Sequence, residues 1–228
     1  MGKLIIIEGG DGSGKATQTN RLWNRLTQEG FQAKKIEFPD YSSPSSALVK
    51  MYLGGDFGKD PNDVNPYAAS TFYAVDRYAS YKTVWESFYQ NGDIILADRY
   101  TTSNMIHQAS KLMKESEWEF YLDWLKDFEY RLIGLPQPDL ILYLNMPPEY
   151  SIKFINSRAN KSTVSDKDIH EKNLEYLRQS YENAQRVRIR ENWVNISCVT
   201  NDMNLKSIDE IHEEIYKLVL DCYSSNKR

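Results

Sequence analysis

Apolar residues along the chain fall into two alternating patterns. Short runs rich in β-branched side chains, "KLIIIE" (3–8), "FQAKKIEF" (31–38), "DIILAD" (93–98), "DLILYLN" (139–145) and "WVNISCV" (193–199), predict strands. Between them, apolar positions recur with helical period over Lys15 to Gln28, Ser45 to Leu53, Pro66 to Gln90, Thr102 to Lys111 and Glu115 to Leu132. The same period returns over Pro148 to Arg158, Ile169 to Arg190 and Ser207 to Leu220. Strands alternating with helices predict an α/β fold, a parallel sheet wrapped in helices, with no repeat and no linker dividing residues 1–228. Two segments interrupt the pattern. Gly54 to Asp63 is dense in turn residues, and Ser157 to Asp168 is polar and charged without an apolar face. A polar flap entering a long helix has the layout of an active-site lid, although an ordinary solvated loop has the same composition.

With 228 residues, 41% hydrophobic and 26% charged, the chain has room for a substantial core and an enclosed site. Its apolar stretches are too short to span a membrane. The N-terminus lacks the basic-then-apolar layout of a secretory signal, and Ile6 stands where a myristoylation pattern needs Ser or Thr. A cytoplasmic location is therefore expected. Cys198 and Cys222 have neither metal nor redox spacing and read as reduced packing residues. A net charge of −4 argues against a general nucleic-acid surface, so an anionic ligand must be held by a few local cations.

The stretch "GGDGSGKATQ" supplies the first of these. Gly9, Gly14 and Lys15 satisfy G-x-x-x-x-G-K between a predicted strand and a predicted helix. In such a loop Gly9, Gly10, Asp11, Gly12, Ser13 and Gly14 wrap phosphates with backbone N–H groups. The helix N-terminus adds positive potential, and Lys15 reaches the outer phosphates. Ala16 stands where the motif normally carries a hydroxyl for magnesium, and Thr17 points about 100° further round the helix. Phosphates, water and one carboxylate can still hold the ion, and Asp98, at the end of a predicted strand, is the candidate ligand. Arg99 beside it lies at the sheet's ligand-binding edge. Arg77, inside a mostly apolar helical stretch, needs a partner: a carboxylate near Asp76 or in the core, or a bound anion. The aromatic "WEFYLDWLKDFEY" (118–130) has helical spacing and reads as core or dimer interface.

Taken together, "EGGDGSGKATQ", "FPDY", "FYAVDRYA", "DRYTTSN" and "DIHEKNLEYL" resemble the thymidylate kinase family over nearly the whole chain. That resemblance implies a three-layer P-loop kinase fold: a five-stranded parallel sheet flanked by helices, with a mobile lid over ATP at about 157–170. It implies transfer of the ATP γ-phosphate to dTMP with magnesium, in dTTP synthesis, and commonly a homodimer. For the acceptor it places Asp11 at the deoxyribose 3′-hydroxyl, and Phe38 and Pro39 along the pocket. Tyr73 would stack on the base, Arg77 would reach a base carbonyl, and Asn104 would bond the pyrimidine edge. Arg99 would grip the acceptor phosphate, with Tyr41 nearby and Tyr100 beside it. Gly12 replaces an arginine that some members use on the transferring group, which makes Arg158 the leading lid cation, followed by Lys161 and Lys167. His107 stands where some members place a tyrosine that crowds a 2′-hydroxyl. A deoxynucleoside kinase, which would need Glu8 or Asp98 as a base, and an inactive nucleotide-binding module are the alternatives. A GTPase is disfavoured by the absence of N-K-x-D.

Overall fold

The computed structural model describes residues 1–159 and 174–224. Its element order is β1 (Lys3–Gly9), α1 (Lys15–Gln28), β2 (Ala33–Glu37), α2 (Ala47–Gly54), α3 (Pro66–Ser80), α4 (Glu86–Asn91) and β3 (Ile94–Asp98). These are followed by α5 (Thr101–His107), α6 (Glu115–Lys126), β4 (Leu140–Asn145), α7 (Pro148–Ala159), α8 (Leu174–Arg190), β5 (Val194–Ser197) and α9 (Ile208–Ser224). The strands form one five-stranded parallel sheet in the order β2-β3-β1-β4-β5. With β1 central, the connection from β3 to β4 crosses it once, and the loop after β1 opens at the carboxyl edge where such sheets bind ligands.

Both faces of β1 are buried, and Leu4, Ile5, Ile6 and Ile7 are all 0% exposed. A strand buried on both sides reads as a continuous apolar run rather than an alternation, as "LIII" does. Burial of each such side chain contributes about 1.5–3 kcal/mol. Ile5 and Ile7 pack with Leu22 and Leu26 of α1 and Ile211, Ile215 and Val219 of α9. Leu4 and Ile6 face the opposite layer, with Trp85 and Tyr100. Among the described residues no helix is long and apolar enough to cross a membrane.

Two predicted helices are not straight. Tyr81–Trp85 separates α3 from α4, and Asp127–Leu132 extends α6, each as a wider i→i+5 turn. A wider turn advances less per residue than the roughly 100° of an α-helix, so it rotates later side chains back toward the preceding buried stripe. Trp85 thereby returns to the buried side, while Glu129 lines up with Leu122 and Leu125 by ordinary helical spacing; all four are 0% exposed. The aromatic stretch belongs to the core. Trp118, Tyr121, Leu122 and Leu125 pack on Met105 and Ile106 of α5 and Ala184 and Val187 of α8. Asn183 of α8 secures the contact by accepting from Trp118 Nε1 at 2.6 Å and donating to the Met105 and Ile106 carbonyls at 2.9 and 2.6 Å.

Candidate active site

At Gly9 the chain leaves β1 with φ 155°, and a Cβ there would come within 2.7 Å of Ser13 Oγ and 2.9 Å of the Leu144 carbonyl. Gly12, at φ 80°, is more constrained: a Cβ would sit 2.6 Å from the Ser151 carbonyl of α7. The start of α7 is seated directly on the loop, so an arginine at position 12 would displace it. Lys15, 7% exposed in the first turn of α1, donates from Nζ to the Gly10 carbonyl at 2.8 Å and lies 3.9 Å from Asp11 Oδ1.

Asp98 and Glu37 are register partners at the ends of β3 and β2, and both line a cleft of about 300 Å³ together with Lys15, Ala16 and Arg99. No hydrogen bond from a described residue reaches the Asp98 carboxylate, so its oxygens remain available to a cation. Thr17 instead lines a different cavity, of about 340 Å³, walled by Met146, Phe154, Leu205, Ile208 and Ile211. Thr17 does not line the cleft that holds Asp98 and Ala16.

Arg99 follows Asp98 with φ 70°, a conformation that costs a non-glycine residue roughly 1–2 kcal/mol and that its contacts must sustain. Nη2 pairs with Asp11 Oδ1; Nη1 donates to Ser103 Oγ at 3.2 Å, lies 3.3 Å from His107 Nε2 and 3.6 Å from Glu8 Oε1. Glu8, fully buried in β1, accepts from Gly9 N at 2.8 Å and from Thr102 and Ser103 hydroxyls at 2.7 Å each. Thr102 and Ser103, in the "TTS" after the D-R-Y element, thus orient Glu8, a role not foreseen from the sequence.

A narrower pocket of about 90 Å³ shares Asp11, Phe38, Pro39, Tyr41 and Arg99 with the cleft. Tyr73, Arg77, Tyr100 and Asn104 line it as well, so all the acceptor residues expected from sequence meet in one place. The Phe38–Pro39 bond is cis, and the Phe38 ring lies 5.9 Å from that of Tyr100. Arg77 does not stand alone here. It is bound through Nε and Nη2 to Glu129 at 2.7 and 2.5 Å. Asn104 donates to the Ser70 carbonyl at 3.4 Å. Gln108, unforeseen from sequence, also lines the pocket, with neither amide atom bonded to a described residue. Arg158 lies in the last turn of α7, whereas Lys161, Lys167 and the rest of the expected lid lie outside the described residues.

Burial and the nearby Arg99 charge lower the Lys15 pKa, and the carboxylates of Asp11, Asp98 and Glu8 oppose them. Burial alone would lower that of Arg99, but Asp11, Glu8 and Asp98 reverse the effect and hold it above the ordinary value. Asp98 is pushed up by burial, against the pull of Lys15 and Arg99. Lys15 and Arg99 therefore sit with the carboxylates of Asp11, Glu8 and Asp98 around one partly desolvated cleft.

A family model described as thymidylate kinase matches residues 7–215. The chain belongs to the thymidylate kinase family. It is 26% identical to the thymidylate kinase of Plasmodium falciparum over 218 residues, covering 96% of this chain and 90% of that one. The Schizosaccharomyces pombe thymidylate kinase is 27% identical over 96% of this chain and 91% of its own. The human one is 30% identical over 64% and 61%. The solved thymidylate kinase from Candida albicans superposes with a TM-score of 0.69 over 97% of this chain and 93% of that one, at 22% identity, which supports the shared P-loop kinase fold.

The Asp98 shift has a measurable consequence for this thymidylate kinase homologue. A carboxyl group with a raised folded-state pKa loses stability as pH rises from the ordinary carboxylate value through the folded one, so ionised Asp98 destabilises the fold at neutral pH. Asp98→Asn is expected to melt above the parent at neutral pH, with the difference shrinking in acid. Melting below the parent at neutral pH would mean that Lys15 and Arg99 more than offset the burial.

Proposed function

We propose that this protein transfers the γ-phosphoryl group of ATP to dTMP, giving ADP and dTDP. The observation that carries this reading is the shared counter-charge. Asp11 sits between Lys15, at the mouth of α1, and Arg99, which lines the acceptor pocket, so two phosphate-binding cations converge on one point. Membership of the thymidylate kinase family supports it. The ATP phosphates are assigned to the amides of 9–17 and Lys15, with the adenine directed to the cavity bounded by Thr17, Phe154 and Leu205. The dTMP phosphate is assigned to Arg99 with Tyr41, and the 3′-hydroxyl to Asp11. The base lies between Phe38 and Tyr73, with Arg77, Asn104 and Gln108 at its edge.

An acceptor phosphate oxygen, already ionised at neutral pH, attacks the γ-phosphorus in line. The new P–O bond forms as the bond to the ADP oxygen breaks, and no protein base is needed. Arg99 and Lys15 hold the two reacting phosphates at close range despite their repulsion, which is the main service that this chemistry asks of a protein. Magnesium would be held by Asp98, whose half-buried carboxylate accepts no hydrogen bond from described residues, and would offset charge on the outer ATP phosphates. Arg158 at the end of α7, with Lys161 and Lys167 beyond it, is the proposed source of positive charge that Gly12 lacks. Residues 1–228 are read as one kinase domain working in the cytoplasm.

The chain is further proposed to act as a homodimer. Leu48 and Met51 on α2, and Val75 and Tyr78 on the neighbouring α3, are each 40% or more exposed. Apolar side chains grouped on adjacent helices mark an association surface.

An assay of ADP release with ATP and magnesium tests the activity. Selective stimulation by dTMP over UMP, CMP and thymidine is expected. Stimulation by thymidine instead would make the protein a nucleoside kinase, and no stimulation by any acceptor, with ATP still bound, would mark an inactive module. Sedimentation at micromolar concentration is expected to show a dimer that Met51→Lys with Val75→Lys dissociates; a monomeric parent would overturn the assembly.

A further inference from the structure

Arg77 reaches the acceptor pocket from α3 and Glu129 meets it from the widened turn after α6, 52 positions away. The guanidinium carries five N–H donors in a fixed plane. Nε donates to Glu129 Oε2 at 2.7 Å, Nη2 to Oε1 at 2.5 Å, and Nη1 to the Tyr100 carbonyl at 3.4 Å. This two-pronged geometry fixes the plane of the group and leaves one N–H on each terminal nitrogen for the pocket. Glu129 is held in turn, since Oε2 also accepts from the Thr101 hydroxyl at 2.7 Å. Thr101 is the first residue of α5 and lies two positions after Arg99. One buried carboxylate thereby ties the base end of the pocket to the segment that carries the phosphate-gripping arginine.

Charge leads to the same residue. The titratable neighbours facing the pair are phenols: Tyr100, Tyr121 and Tyr130. Burial raises the pKa of all three, so they remain neutral. Arg77 and Glu129, 1% and 0% exposed, therefore cancel, and this end of the pocket carries no net charge. The phosphate end instead holds Arg99 and Lys15 among the carboxylates of Asp11, Glu8 and Asp98.

We infer that Glu129 is a positioning residue for the acceptor: it locks the plane of Arg77 and cancels its charge, so that the pocket reads a neutral pyrimidine ring. This rests on the acceptor reading above. The Tyr100 carbonyl also contacts Arg77, but only a carboxylate both fixes it at two points and removes its charge. A pocket with an unbalanced Arg77 would instead favour a base that has lost its N3 proton.

The test compares parent, Glu129→Gln and Glu129→Asp in steady-state kinetics with dTMP and with 5-fluoro-dUMP, whose electron-withdrawing fluorine makes N3–H more acidic than that of thymine. In the parent, kcat/KM for 5-fluoro-dUMP relative to dTMP is expected to fall as pH rises through ionisation of the fluorinated base. In Glu129→Gln, which keeps the shape and removes the charge, that ratio is expected to hold or rise. The KM for dTMP should increase about tenfold, that for ATP should change far less, and kcat should fall by a smaller factor than KM rises. Glu129→Asp, which keeps the charge but shortens the arm, should retain the parent pH profile with a raised KM for dTMP. Parent-like behaviour of Glu129→Gln on both acceptors would overturn the inference, as would equal losses for dTMP and ATP. Should Glu129→Gln not fold, a parent-like dTMP KM in Glu129→Asp would overturn it alone. A parent that uses no pyrimidine monophosphate would remove the function proposed above, whereas an active parent with an indifferent Glu129→Gln would remove only the role of Glu129.

Discussion

A cation held away from water needs a counter-charge, and a kinase site needs that cation free enough to meet phosphate. Arg99 and Lys15 meet both demands by sharing Asp11 at the carboxyl edge of the sheet. Glu8 supplies a second negative charge from within β1, immobilised by Thr102, Ser103 and the Gly9 amide, so the local field does not depend on a mobile side chain. The strained backbone at Arg99 follows from this constraint: turning the chain at φ 70° directs the guanidinium across the ends of the strands, and the surrounding carboxylates hold it there.

The same principle operates at the other end of the acceptor pocket with the opposite outcome. Arg77 and Glu129 are so deeply buried that neither would be tolerated alone, and removing one partner of such a pair costs about 3–5 kcal/mol. Here the pairing is complete, and what remains is two oriented donors without net charge. Glu129 lies seven residues after Leu122 and four after Leu125, the ordinary helical spacing that keeps it on the buried side as the wide turn after α6 begins.

Strands and helices were legible because each follows a short-range rule: β1 is a continuous apolar run, and α1 begins at the glycine-lysine junction and ends at Gln28 as its periodicity predicts. The phosphate loop was legible for the same reason, its chemistry being contiguous. Glu129 was not, because its partner Arg77 is 52 positions away. One clue was present: Glu129 falls on the stripe through Trp118, Tyr121, Leu122 and Leu125, and a carboxylate on an apolar stripe requires a buried cation. Gln108 offered no comparable clue. The reason for Gly12 was hidden too, since only the packed structure shows the Ser151 carbonyl against it. Arg77 was correctly seen to need a partner, and the structure supplies that partner while still lining the pocket with Arg77.

The central claim is that donor and acceptor phosphates meet across Asp11, within reach of Lys15 and Arg99 together. Calorimetric titration of a molecule joining adenosine and thymidine through five phosphates tests this without requiring turnover. If the two sites are contiguous, one linked ligand fills both and should bind at least about a hundredfold more tightly than ATP or dTMP alone. An affinity no greater than that of the better single nucleotide would mean that the two phosphate sites do not face each other, and the account of the cleft would be wrong.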